Sequence, residues 1–270
     1  MNKFYLSEIN IYPIKSLGGI SLKEAKIEER GLQYDRRWML IDEQGTFITQ
    51  RKHFELALLE VSLKDNELTV TFKKNKEQKV SFSLEESIGE SIAVTIWDDI
   101  SNGFEVSKKV SDWFSDYMKM KVKLVKMSSE EKRLVDERYA LDNEIVSFAD
   151  GYPCLIIGQS SLDGLNEKLA DPIEMNRFRP NFVFTGGTAH IEDSFSQFNL
   201  GNIAFSAVKP CARCVLITID QQTGIKGHEP LKTLASYRTK EKKVLFGQNL
   251  IHKGFGIIRI GEELKIKEWR

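Results

Sequence analysis

Cys211 and Cys214, two of the three cysteines in the chain, stand two residues apart in VKPCARCVLITID. Thiols at that spacing serve one of three chemistries: half of a zinc site, a redox dithiol, or one thiolate ligand for a larger cofactor. A structural zinc site wants four Cys or His ligands, and the second close pair is missing. The histidines, at 53, 190, 228 and 252, are scattered, and Cys154 lies in apolar YPCLIIG, where a buried, inert thiol is expected. A redox dithiol wants a helix N-terminus to lower its pKa. Here VLITID, with four β-branched residues in six, predicts a strand. Cofactor ligation ranks first and zinc last. On this expectation the strand fixes the Cys214 sulfur, Cys211 sits in the approach loop after Pro210, and Arg213 favours the thiolate.

The second feature is cationic residues in short Gly-, Pro- and aromatic-rich loops. YPIKSLGG offers Lys15 and Ser16 ahead of Gly18 and Gly19. YDRRWML places Arg36 and Arg37 at the start of an expected strand, facing opposite ways, so only one serves a given site. NRFRPNF gives Arg177 and Arg179 in the same alternation, with Arg179 and Asn181 on one face. A cation in a mixed run such as KKNKEQK reads as a solvated charge. These loops instead suit one phosphate or carboxylate held by Arg forks and a Lys point charge. Phosphate-loop, dinucleotide, zincin and nucleophile-elbow signatures are absent.

The elements that must position these residues are mostly strands. Alternating segments from FYLSEINIY onward include hairpins turning at Glu43–Gly45 and Lys64–Asn66, followed by a strand in ESIAVTIWDD. GFEVSKKVSDWFSDYM then puts Val106, Val110, Trp113, Phe114 and Tyr117 on one helical face, and VKLVKMS is a strand. Residues 128–147 read as a charged surface linker or flap. Beyond them come PCLIIG, a helix in SSLDGLNEKLAD capped by Ser160 or Ser161, and strands in NFVFTG, IAFSAVK, CVLITID and GIIRIGEELKIKE. The expected fold is predominantly β with a few helices, divided at about 126 into domains 1–126 and 127–270. Regular strand–helix alternation, and with it a doubly wound fold, is missing.

Composition narrows the function classes. Lys plus Arg and Asp plus Glu both number 39 in 270 residues, so no global field draws nucleic acid or anionic membrane. Three cysteines suggest a reducing, cytoplasmic setting. Neither a secretory h-region nor a transmembrane stretch is evident.

Taken in order, YPIKSLGG, DRRWMLID, FRPNFVF, PCARCVLITIDQQTG and EPLKTLASYR resemble the MOSC family with its N-terminal β-barrel domain. It is the branch that includes the mitochondrial amidoxime-reducing component, bacterial hydroxylaminopurine-resistance relatives and the C-terminal part of molybdenum cofactor sulfurases. The resemblance implies an N-terminal β-barrel-like domain plus a MOSC β-barrel domain. It further implies a molybdenum–molybdopterin cofactor, with no pyridoxal phosphate expected. Carried over by position, Cys214 is the molybdenum ligand, while Lys15, Ser16, Arg36, Arg179 and Asn181 hold the pterin and its phosphate. Asp150 in SFADGYP lines the cofactor. Thr218, Asp220, Thr223 and Gly224 follow the cysteine, with Asp220 and Thr223 shaping a turn, and Tyr237 and Arg238 match a segment without an assigned role. The implied activity is reduction of N-hydroxylated compounds, with electrons from a separate ferredoxin- or cytochrome-type protein, because no later cysteines supply a cluster. A cofactor carrier or sulfur-handling protein without turnover is the alternative.

Overall fold

The apolar residues Leu6, Ile9 and Ile11 make Tyr5–Ile11 a strand, with a register shift between Leu6 and Glu8, and its buried positions commit it to the interior of a large sheet. The computed structural model describes residues 3–270. The large sheet runs, edge to edge, Lys265–Trp269, Phe195–Leu200, Ile203–Arg213, Lys243–Lys253, Cys154–Gly158, Phe182–Thr185, Tyr5–Ile11 and Ile20–Leu22, with Thr239–Lys240 beside Lys243–Lys253. The N-terminal strand thus joins a sheet made mostly of strands beyond residue 153. Lys243–Lys253 and Phe195–Leu200 had not been expected as strands. The charged end of the first, KKV, and the glycine and asparagine in LFGQNL mask its alternation.

The centre of this sheet is buried on both faces. Phe182 and Phe184 join Ile156 in one apolar cluster, whereas Val183 and Ile157 join Leu162, Leu165 and Phe246 in another. Period-2 alternation explains the split. Cys154–Gly158 and Phe182–Thr185 pair in parallel, which requires a crossover. The helix Gln159–Asn166 lies on that crossover and buries Ser161, Leu162 and Leu165. Its serines do not cap it. Ser160 Oγ donates to the Gly187 carbonyl oxygen and Ser161 Oγ to the buried Glu192 carboxyl, which also accepts from Gly158 N–H.

The other strands form smaller sheets. One orders Trp38–Ile41, Lys123–Met127, Asp99–Glu105 and Ile88–Ile96; a second is the meander Leu59–Lys64, Glu67–Phe72, Asn75–Ser83. The expected helix spans Lys108–Met118 and buries Val110, Phe114 and Met118 with Trp38 and Phe82. A third small sheet joins Gly256–Arg259 to Glu24–Glu28 and Gly31–Leu32. Among the described residues the sheets are open and none closes into a full barrel, although the protein is predominantly β. Residues 128–147 are irregular but not a loose flap: Arg133, Val135, Ile145 and Val146 are buried.

Candidate functional site

The loops at the ends of these strands meet in one cleft. Lys15, Ser16, Arg36, Asp150, Arg179, Asn181 and Cys214 all line it, joined by Arg51, Cys211 and Arg213. Five cations and a single carboxylate therefore face this space, in a chain of zero net charge.

The N-terminal side is stitched by backbone. Lys15 N–H donates to the Trp38 carbonyl oxygen, Arg36 N–H to that of Tyr12, and Tyr12 N–H to Asp35 Oδ1. Lys15 is 5% exposed, and its Nζ donates to Phe148 O at 2.7 Å and to Asp150 Oδ1 at 2.5 Å. Burial lowers its pKa from 10.5 to about 8, with Asp150 opposing the drop. The Asp150 carboxyl is held well below the usual range: burial works against its charge, but Lys15 and Arg51 outweigh it. About half of the Asp150 side chain is open to the cleft, so solvent screens these ion pairs. Its loop is shaped by Arg133, whose guanidinium donates to the carbonyl oxygens of Ser147, Ala149 and Asp150.

Arg36 and Arg37 do face different ways, though not through strand alternation. Arg36 precedes the strand at φ 49°, bonds Asp35 and reaches Asn181 Oδ1 at 3.3 Å. Arg37 pairs with Glu28 outside the cleft. The alternation expected for 177–181 is likewise replaced: Met175–Arg177 is a 3-10 turn, and Arg179 has φ 55°. Arg179 still enters the cleft, donating to the Leu17 carbonyl oxygen at 2.6 Å. Ser16 has φ 72°, so Ser16, Arg36 and Arg179, three of the expected site residues, occupy left-handed backbone that disfavours side chains. Asn181 is 1% exposed, and its carboxamide bonds Leu155 N–H, Asn10 O and Arg36. It fixes the cleft wall.

The cysteine segment departs most from expectation. The strand Ile203–Arg213 contains Cys211 and stops before Cys214, and Val215–Thr218 is a 3-10 turn. Pairing of Ala212 and Arg213 with Leu245 and Val244 holds the strand end. The sheet, not VLIT, supplies the edge that fixes this corner. Cys211 is therefore on the strand and Cys214 at its exit. Burial raises the Cys211 pKa despite Arg213, and burial likewise raises that of Cys154. Cys214 is exposed, and all three cysteines are free thiols. Among the described residues no group of three His, Cys, Asp or Glu side chains is placed to hold a metal ion.

The charge beside Cys214 is Arg51, not Arg213. Arg51 Nε lies 3.2 Å from Cys214 Sγ and Nη2 2.6 Å from Asp150 Oδ2, while its guanidinium stacks on Trp97 at 4.7 Å. Burial opposes the Arg51 charge, yet Asp150 and Cys214 raise its pKa. Sequence gave no sign of this residue, because TQRKHFE reads as an ordinary charged run. Arg213 instead donates to the carbonyl oxygens of Phe246 and Phe178, bracing the strand end. Arg177 pairs with Asp220, and the Asp220 carboxylate accepts from Gln222 N–H, Thr223 N–H and Thr223 Oγ1, the turn expected of Asp220 and Thr223. Arg238 joins Asp193 to the Leu245 carbonyl oxygen behind the cleft, a structural staple.

Fold and cleft together define a β-rich protein that presents one exposed thiol to a cation-lined pocket. The MOSC N-terminal beta barrel domain model matches residues 3–121, and the MOSC domain model residues 143–265. The chain is 30% identical to mitochondrial amidoxime-reducing component 1 of Mus musculus, over 95% of this chain and 80% of that protein. It is 32% identical to mitochondrial amidoxime reducing component 2 of Rattus norvegicus, over 95% of this chain and 81% of that one. Against the molybdenum cofactor sulfurase of Oryza sativa subsp. japonica identity is 32%, over 92% of this chain but only 32% of that longer protein. The chain belongs to the MOSC family, with both its N-terminal and MOSC domains. Among the described residues no helix is long and apolar enough to cross a membrane.

Proposed function

We propose that this protein is a molybdenum-cofactor-dependent reductase of N-hydroxylated compounds such as hydroxylamines, amidoximes and hydroxylaminopurines. One observation carries the reading: the exposed Cys214 thiol shares a cleft with five cations and a single carboxylate. A soft thiolate suits a redox-active transition metal, and Arg and Lys suit a phosphate. Two polar atoms on cleft-lining residues, Arg213 Nη2 and Tyr152 Oη, are buried without a partner. This donor set fits a phosphate-bearing pterin with a thiolate-bound metal.

Cys214 would ligate the metal, and Lys15, Ser16, Arg36 and Arg179 would hold the phosphate-bearing part. When bound, the cofactor supplies the two-electron chemistry that converts N–OH to N–H with release of water. Arg51 holds the sulfur of Cys214 beside a positive charge. Asp150 stays ionised and ties Lys15 to Arg51, so the two cations keep their spacing. Asn181 braces Arg36. Under the proposed division near residue 126, Lys15, Ser16, Arg36 and Arg51 belong to the N-terminal part and Asp150, Arg179, Asn181 and Cys214 to the MOSC part. The cleft is then shared between the two. Electrons would come from a separate ferredoxin- or cytochrome-type donor, and the proposed location is the cytoplasm.

The test is metal and pterin analysis of protein made in a cofactor-competent host, followed by turnover of a hydroxylamine-type substrate with dithionite-reduced viologen. Near-equimolar molybdenum and turnover are expected, with none from NADH alone. Stoichiometric zinc without molybdenum would falsify the cofactor assignment. Bound molybdenum without turnover would leave a carrier in place of a reductase.

A further inference from the structure

The cleft gathers like charges, and Arg36 and Arg179 are the pair most in need of a device that holds them. Arg36 has a carboxylate, Asp35 Oδ2, at 2.6 Å. Among the described residues Arg179 has no salt-bridge partner; its side chain bonds the Leu17 carbonyl oxygen, and it is 8% exposed. Arg36 also donates to the Arg179 carbonyl oxygen at 3.3 Å, so the two residues are in direct contact. Burial lowers the Arg179 pKa to about 10, with Tyr12 opposing the drop and Arg36 adding to it.

Both guanidinium groups lie over one aromatic ring. Arg36 Cζ is 4.3 Å and Arg179 Cζ 4.2 Å from the Tyr12 centroid. The ring is 4% exposed, and its hydroxyl donates to the Pro180 carbonyl oxygen at 3.3 Å. A ring face attracts a desolvated cation more strongly than a hydrated one, and here it serves two at once. Gly19 completes the seat: a Cβ there would stand 2.5 Å from Tyr12 Cε1 and 2.9 Å from Cδ1. Gly19 is not among the residues with positive φ, so the position requires glycine for space and not for conformation.

We propose that Tyr12 is a positioning residue of the cleft: its ring, seated against Gly19, holds Arg36 and Arg179 together so that both serve one anion. The proposal rests on the anion-binding part of the functional reading and is independent of the redox chemistry. It also accounts for the end of YPIKSLGG, where Gly19 clears the ring that Tyr12 supplies.

The test titrates cofactor-free protein with inorganic phosphate by calorimetry and records thermal melting alongside. Tyr12→Phe keeps the ring face and loses only the hydroxyl bond, so affinity should stay within about twofold of the parent. Tyr12→Leu fills much of the space without a π face and should weaken phosphate binding about tenfold, or about 1.4 kcal/mol. Gly19→Ala should weaken binding comparably by displacing the ring, and should add little in a Tyr12→Leu background, since the two act through one contact. Should Tyr12→Leu not fold, the comparison of Gly19→Ala with Tyr12→Phe decides the matter. Parental affinity in Tyr12→Leu or Gly19→Ala, or an equal loss in Tyr12→Phe, overturns the role of the ring while the anion site stands. Absence of phosphate binding in the parent overturns both together.

Discussion

Lys15 is where this cleft should show the conflict between stability and binding most plainly. It is 5% exposed, and burial lowers its pKa from 10.5 to about 8 even with Asp150 in contact. A lowered lysine pKa means that the folded state releases this proton earlier than the unfolded chain does. Between about pH 8 and 10.5 the unfolded chain binds more protons, so stability attributable to Lys15 rises with pH across that window. Below it, the charged form costs about 3 kcal/mol at 1.36 kcal/mol per pKa unit. Lys15→Met removes that cost but also the hydrogen bond to the Phe148 carbonyl oxygen, about 1 kcal/mol. Asp150 keeps Arg51 and Trp97 as partners and remains half open to solvent. The net expectation for cofactor-free protein at pH 7 is a gain of about 2 kcal/mol. That gain should fade as pH approaches 10.5. Urea denaturation of both proteins at several pH values measures this, because other titrating groups cancel in the difference. Molybdenum retention should fall in the same variant. Parallel pH curves, or a less stable variant at pH 7, would refute the argument that burial of this charge opposes folding.

Cys214→Ser replaces a soft ligand by a hard hydroxyl and should abolish reductase activity, whereas Cys211→Ser should retain much of it. Equal loss in both, read by viologen-coupled turnover, would count against ligation by Cys214 alone. Arg179→Ala should lower molybdenum retention through gel filtration ten- to a hundredfold, the equivalent of about 1.5–3 kcal/mol for a lost charge-assisted bond. Undiminished retention with an intact fold would contradict that assignment. Glu192 is fully buried, and burial raises its pKa from 4.5 to about 7. The folded state therefore binds more protons between those values, and stability should fall by up to about 3 kcal/mol as pH rises through that window. Glu192→Gln should flatten the pH dependence of the urea midpoint between 4.5 and 7, and an unchanged slope would show that Glu192 does not titrate there.

The expected site cations were legible because glycine, proline or aromatic residues stand within two positions of each. Lys15 stands two residues after Pro13, Arg36 two residues before Trp38, and Arg179 between Phe178 and Pro180. Such neighbours favour burial, and a buried cation calls for a partner. Arg51 and Arg133 escaped because QRKHFE and EEKRLVDE look like solvated runs, although Arg133 is 6% exposed and builds the Asp150 loop. Spacing carries no information about which member of a charged run turns inward.

Elements with a clear period were also legible from sequence alone. The helix Lys108–Met118, the hairpin of Leu59–Lys64 with Glu67–Phe72, and the buried strand Cys154–Gly158 follow directly from apolar alternation and turn residues. VLIT misled for a physical reason. β-branched residues favour extended backbone only where a neighbouring strand is there to pair, and here pairing with Lys243–Lys253 stops at Arg213. Sequence determined which residues could carry the chemistry: a thiol pair, several sheltered cations and an aspartate. Tertiary structure decided which of them meet. It placed Tyr5–Ile11 beside Phe182–Thr185, brought Arg36 and Arg179 over one tyrosine ring, and set Arg51 against Cys214 across 163 positions of chain. These contacts come from sheet order and the left-handed corners at Ser16, Arg36 and Arg179, which local propensity does not encode.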